Sequence, residues 1–144
     1  MVERKPRRFS FKGWYKGWFF RSLKELSYVL LCEKNGLKWR TAETDEFAVY
    51  YTDLYGRKKK HWADLFVDEH IIVEVKPSKH QKGKLVQLKA QAMKKFCDEK
   101  GYTYMMVSPR KVAKAELETL IKKGMITFTE ESEEKITQYL KRRK

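Results

Sequence analysis

The sequence predicts an α/β fold: a mixed central β-sheet flanked by helices. Three observations predict it. Apolar residues recur at helical spacing over 22–35, 84–100, 111–123 and 131–141. Between the first two of these segments the period shortens. There Phe47, Val49 and Tyr51 alternate with Ala48 and Tyr50, and 61–67 and 70–76 are short runs bounded by turn residues. A helix then separates these three strands from a fourth at 102–107. A hairpin meander joined through a helix to a further strand makes a sheet of mixed direction.

Each element carries its own signals. Residues 1–20 read as a basic, aromatic N-terminal arm broken by Gly13 and Gly17, and 21–144 as one domain. Helix 22–35 starts at Ser22, with Glu25 at capping-box spacing, and stops at Asn35-Gly36. The strand within 37–52 ends at the turn Asp53-Leu54-Tyr55-Gly56, and the basic run Arg57-Lys58-Lys59-Lys60 follows. Strand 61–67 returns, Asp68-Glu69 turns the chain again, and Pro77 ends the third strand. Helix 84–100 presents Leu85, Leu88, Ala92 and Phe96 on one stripe and is closed by Gly101. After strand 102–107 come helix 111–123, a short strand at 125–128 and the last helix, 131–141.

Composition narrows the function. Lys and Arg number 33 against 19 Asp and Glu, a net charge of +14. So lopsided a charge repels itself in a compact fold and points to a polyanionic partner. Nucleic acid comes first, since its phosphates release counterions to Lys and Arg. An anionic membrane surface comes second, and a charge kept for solubility third. Cys32 and Cys97 lie in separate apolar settings without CxxC spacing or a clustered His, which argues against a zinc site and predicts free thiols. The N-terminus has no apolar run behind it, and no stretch reaches membrane-spanning length. A soluble, cytoplasmic protein with no membrane partner is expected.

The chemistry concentrates in 64–76. Glu74 and Lys76 lie two apart on a strand and share a face, while Val73 and Val75 share the other. Asp64 lies on the neighbouring strand of a hairpin, within cross-strand reach. Charge at the end of an apolar strand is costly unless it is paired or binds a metal. Two carboxylates beside an ammonium group suit phosphodiester hydrolysis with a hard divalent cation, Mg2+ or Mn2+, and the Val75 carbonyl is a further candidate ligand. The competing reading is a Glu74–Lys76 ion pair on a solvated edge. The strand context, Asp64 and the basic charge favour the metal site.

Asp64, nine residues, then Glu74-Val75-Lys76 resembles the PD-(D/E)XK nuclease motif, with Ala63-Asp64 where the family often has Pro-Asp. Phe20-Arg21-Ser22-Leu23-Lys24-Glu25 is similar to the first-helix motif of a phage-associated branch. That branch includes phage head-completion nucleases, Tn7-type transposase A-subunits, phage junction-resolving endonucleases and some homing endonucleases. The resemblance covers roughly residues 14–80. It implies a restriction-endonuclease-like core, DNA as partner, and Glu25 completing the metal site; Glu25 also reads simply as the capping-box partner of Ser22, and Glu43 and Glu46, at the start of the first strand, are substitutes for it. It also implies a glutamine near the site, which places Gln87 and Gln91 under consideration.

The reading is therefore a Mg2+-dependent DNA endonuclease with catalytic Glu25, Asp64, Glu74 and Lys76. Arg7, Arg8, Lys12, Lys16, Arg21, Lys58, Lys59, Lys60, His61, Lys79 and Gln87 are expected on DNA, with Lys82 and Lys84 on phosphates. His70 and His80 read as solvated or near DNA. A homodimer is a candidate arrangement, because one site cuts one strand, and association with a virion is another. The rival readings are a virion-assembly protein that binds DNA without cutting it and an RNA-binding protein.

Overall fold

Along the chain, the computed structural model describes residues 11–142. The elements are β1 (Gly13–Tyr15), β2 (Trp18–Phe20), α1 (Leu23–Lys34), β3 (Trp39–Thr41), β4 (Val49–Thr52), β5 (Lys58–His61), β6 (Leu65–Val67), β7 (Ile71–Val75), α2 (Lys84–Lys100), β8 (Thr103–Val107), α3 (Lys114–Lys122), β9 (Ile126–Phe128) and α4 (Glu130–Lys141). The fold is α/β. The described residues form two compact units, one from 11–27 with 110–142 and one from 28–109. No helix among the described residues is long and apolar enough to cross a membrane.

The central unit holds a four-stranded sheet in the order β3-β6-β7-β8. Its first two pairings are antiparallel and β7–β8 is parallel, so the sheet is mixed. A parallel neighbour needs a crossover, and α2 supplies it, packing on β8 and β4. The β6–β7 turn puts Asp68 and Glu69 at φ 52° and 58°, and the His70 N–H closes it on the Val67 carbonyl at 3.2 Å. Positive φ at both central residues matches the right-handed twist of the flanking strands.

The strand expected within 37–52 is two strands, β3 and β4, separated by a 3-10 turn at Asp45–Phe47. The strand expected over 61–67 is shorter, since Lys58–His61 pairs with β4 and only Leu65–Val67 joins the main sheet. The chain changes partners at 62–64 because Asp64 gives its N–H to Val73 and takes the Ala42 N–H on its carbonyl. Lys58–Lys60, read as part of a basic turn, is therefore strand.

The core of this unit joins Ala42, Phe47, Val49, Ala63, Phe66, Ile72, Met93 and Cys97. Phe66 lies 4.6 Å from Phe47 and 5.0 Å from Tyr102, centroid to centroid. The Arg40 guanidinium covers both phenylalanines at 5.1 and 4.9 Å. The buried residues of α2 are Met93 and Cys97, whereas Leu85, expected on the apolar stripe, is 38% exposed at the first turn. Both cysteines are buried and free, and burial pushes the Cys97 thiol up to about 11.

The other unit contains a three-stranded sheet, β2-β1-β9. Where an arm was expected, residues 13–20 form a hairpin turned at Lys16 and Gly17, with φ 50° and 78°. Phe11, Tyr15 and Phe20 are buried, and Phe20 meets Phe128 edge-on at 6.0 Å. The aromatic rings carry the segment inward, which composition alone did not separate from an arm. The rest of the expected arm, residues 1–10, lies outside the described residues. Gly13 faces β9 so closely that a Cβ there would come 2.5 Å from the Thr127 carbonyl oxygen. Gly13→Ala is expected to cost about 1–3 kcal/mol, as overpacking against backbone does. Urea unfolding checks this, and an unchanged midpoint would show that β9 yields freely.

Candidate active site

The site is built on the end of β7. Ile72 and Glu74 share the face of that strand whose Ile72 belongs to the core, and Glu74 follows as the apolar cluster ends. Glu74 is only 7% exposed. A carboxylate so placed needs partners. His61 Nε2 lies 3.0 Å from Oε2 and 3.3 Å from Oε1. The Tyr104 hydroxyl, from the parallel neighbour, donates to Oε1 at 2.8 Å. Burial pushes the Glu74 carboxyl up, but the hydrogen bond and charge of His61, the Tyr104 hydroxyl and the Lys76 charge outweigh it. Together they hold the group below the usual carboxylate range. Burial, reinforced by the Glu74 charge, pushes the Tyr104 phenol far upward, so it stays a hydrogen-bond donor.

Asp64 stands where the cross-strand register from Leu65↔Val73 would place a neighbour of Glu74. Its Oδ2 accepts the Val75 N–H at 2.7 Å, a side-chain acceptor in place of a ladder carbonyl. Along a strand, the N–H and C=O of one residue point to the same side. The Lys76 N–H goes to the Val107 carbonyl on β8 at 2.8 Å, so Val75 turns its own polar groups to the Asp64 side. Asp64, Glu74, the Val75 backbone and Lys76 are thus brought together within the central unit. The Lys76 carbonyl is held by Gln81 Nε2 at 2.9 Å, which fixes the exit of the strand.

Glu25 belongs to the other unit. Its N–H donates to Ser22 Oγ at 3.1 Å, the first half of a capping box, while its Oε1 accepts the N–H of Arg21, one residue before the cap, at 3.0 Å. Glu46 pairs with Arg40 at 3.3 Å, and Glu43 is exposed. Lys12, Lys16 and Arg21 are exposed in the same unit as Glu25, and Arg7 and Arg8 lie outside the described residues. In the central unit Lys58, Lys59, Lys60, Lys79, Lys82, Lys84, Gln87 and Gln91 are exposed. Gln87 gives its amide to the Gln81 carbonyl. His70 bonds the Asp68 carbonyl in its own turn, and His80 is exposed.

His61, expected on DNA, faces Glu74, with 13% of its side chain exposed. It pairs with Val49 across β4–β5, on the buried face of that ribbon. Tyr104 did not emerge from the sequence at all. A tyrosine in an apolar strand was its signal, but the β7–β8 register that aims it at Glu74 is non-local.

Among the described residues, no group of three or more His, Cys, Asp or Glu side chains is arranged to hold a metal. Mg2+ does not require one, because it is commonly held by one or two carboxylates with water and substrate phosphate. Asp64, Glu74 and a carbonyl on the same side form a hard, all-oxygen donor set that fits such an ion. No family model, no curated protein and no solved structure matches the chain.

Proposed function

We propose that the chain is a metal-dependent DNA endonuclease with a restriction-endonuclease-like core, its Asp64 and Glu74 holding Mg2+ or Mn2+. The convergence of Asp64 with Glu74 at the end of β7, anchored by the Asp64–Val75 bond, carries the reading. The net charge of +14 supports a phosphodiester substrate. When bound, the ion supplies Lewis-acid stabilisation of charge developing on the phosphate. His61 and Tyr104 hold the Glu74 carboxylate in one orientation. Lys76 shares the Glu74 face of the strand, where its ammonium group stabilises the developing anion or orients the attacking water. A double-strand break needs two chains or two visits, which is the case for a homodimer.

A second reading, a DNA-binding protein of virion assembly without activity, is favoured by one observation: His61 and Tyr104 together occupy both Glu74 oxygens. Incubating supercoiled plasmid and branched DNA with the protein and Mg2+ separates the two. Nicking that EDTA stops is expected. Binding without nicking would select the second reading.

Lys76→Ala is expected to slow Mg2+-supported cleavage on the order of a hundredfold or more, the scale of losing a preorganised electrostatic partner. Ca2+-supported DNA binding should fall only slightly, because many other basic residues remain. A folded variant cutting at the wild-type rate would remove Lys76 from the mechanism.

A further inference from the structure

The β4–β5 ribbon has two unlike faces. Cross-strand pairs share a face, so Val49, Tyr51, Lys59 and His61 form one, and His61 carries that face to Glu74. Tyr50, Lys58 and Lys60 form the other, which Trp62 continues. On this outer face Lys58 Nζ sits 4.8 Å from the Tyr50 ring centre and Lys60 Nζ 5.1 Å from that of Trp62. Tyr50 is 57% exposed and Trp62 37%. At the tip Tyr55 is 82% exposed beside Arg57. The acidic neighbours are Asp45, on Lys60 at 2.9 Å but itself 91% exposed, and Asp53, which caps the turn. An exposed pair of that kind is weak and exchanges readily for a phosphate.

We propose that this face binds unpaired nucleotides of DNA, bases stacking on Tyr50 and Trp62 while Lys58 and Lys60 take the phosphates. The proposal rests on the nuclease reading for its substrate class and narrows it to DNA with a single-stranded or branched segment. Exposed rings alternating with cations suit a single strand, since every base offers a π-face and every linkage a charge. A continuous duplex hides its base faces and offers the rings nothing.

The test is fluorescence anisotropy on the full chain with Ca2+ in place of Mg2+, using labelled oligothymidylate and a duplex of equal length. Tyr50→Thr combined with Trp62→Leu should weaken oligothymidylate binding about tenfold or more, the scale of lost base stacking. Duplex affinity should stay within about twofold, with the salt dependence unchanged. Tyr50→Phe with Trp62→Phe should retain wild-type affinity. Lys58→Gln with Lys60→Gln should flatten the salt dependence on both ligands. The proposal is overturned by equal loss on both ligands, by no loss, or by an unchanged salt slope in the lysine variant. It is also overturned if the ring variant loses only binding to phosphatidylserine vesicles. Because binding is read without cleavage, plasmid nicking can succeed while this fails, or the reverse.

Discussion

Glu74→Gln is expected to abolish most Mg2+-supported cleavage, on the order of a hundredfold or more, while Ca2+-supported DNA binding survives. The change removes charge from one of the two carboxylates that converge at the end of β7. It leaves the lysines of the ribbon and of the start of α2 in place. Stability gives a second readout. Like-charge crowding with Asp64 would by itself make the neutral variant as stable as wild type, or more so. The structure argues the other way. Glu74 is buried with His61 and Tyr104 on its oxygens, and its carboxyl is held below the usual range. Glutamine keeps one acceptor for Tyr104 but turns an amide or a neutral oxygen toward His61. A loss of about 1–2 kcal/mol is expected, the size of a charge-assisted bond. Cleavage at the wild-type rate by the folded variant would end the active-site assignment. A gain in stability would show that carboxylate repulsion outweighs the two hydrogen bonds.

Phe66→Ala should have the largest effect on stability, about 3–5 kcal/mol. The ring is 2% exposed and lies between Phe47 and Tyr102, under Arg40. Its removal strips the neighbours of contact and leaves a space that a sheet held on both sides collapses into poorly. For a small domain that is a large share of total stability. Phe66 pairs with Ile72, two residues before Glu74, so loosening the strand pair also unsettles the carboxylates. Urea unfolding monitored by circular dichroism measures the loss. A change below about 1 kcal/mol would mean that the aromatic cluster is not the keystone of this unit.

What could be read from the sequence was what local pattern controls. Leu65–Val67, Asp68-Glu69 and Ile71–Val75 form a hairpin whose turn and apolar runs are contiguous, and Asp64 and Glu74 came with it. Helix α2 has a strong period and a glycine with φ 78° at its end. The failures are non-local. Nothing near Lys58–Lys60 says that three lysines will pair with β4, because β5, unlike β4, has no apolar alternation to announce it. Nothing near His61 says that its ring will turn inward, since that depends on which face of β4 is buried. Tyr104 needed the parallel register between β7 and β8, which α2 sets. At Glu25 the local pattern was readable: its N–H meets Ser22 Oγ as the capping spacing predicts, while its carboxylate takes the Arg21 N–H.

Strand β1 lies in the middle of its sheet, yet one neighbour, β2, follows it directly and the other, β9, comes far later in the sequence. Beside it the Lys12 N–H reaches Ser132 Oγ at 2.9 Å, across 120 residues of sequence. During synthesis β1 and β2 follow one another and can close their hairpin at once, but the other edge of β1 must wait until Ile126–Phe128 has been made. Through that interval it presents unpaired N–H and C=O groups on a strand flanked by Phe11, Trp14, Tyr15 and Phe20, the kind of edge that other chains add to. A product that stops before Ile126 never covers it. Truncation from the C-terminus should therefore convert the protein to aggregates rather than to a smaller soluble form.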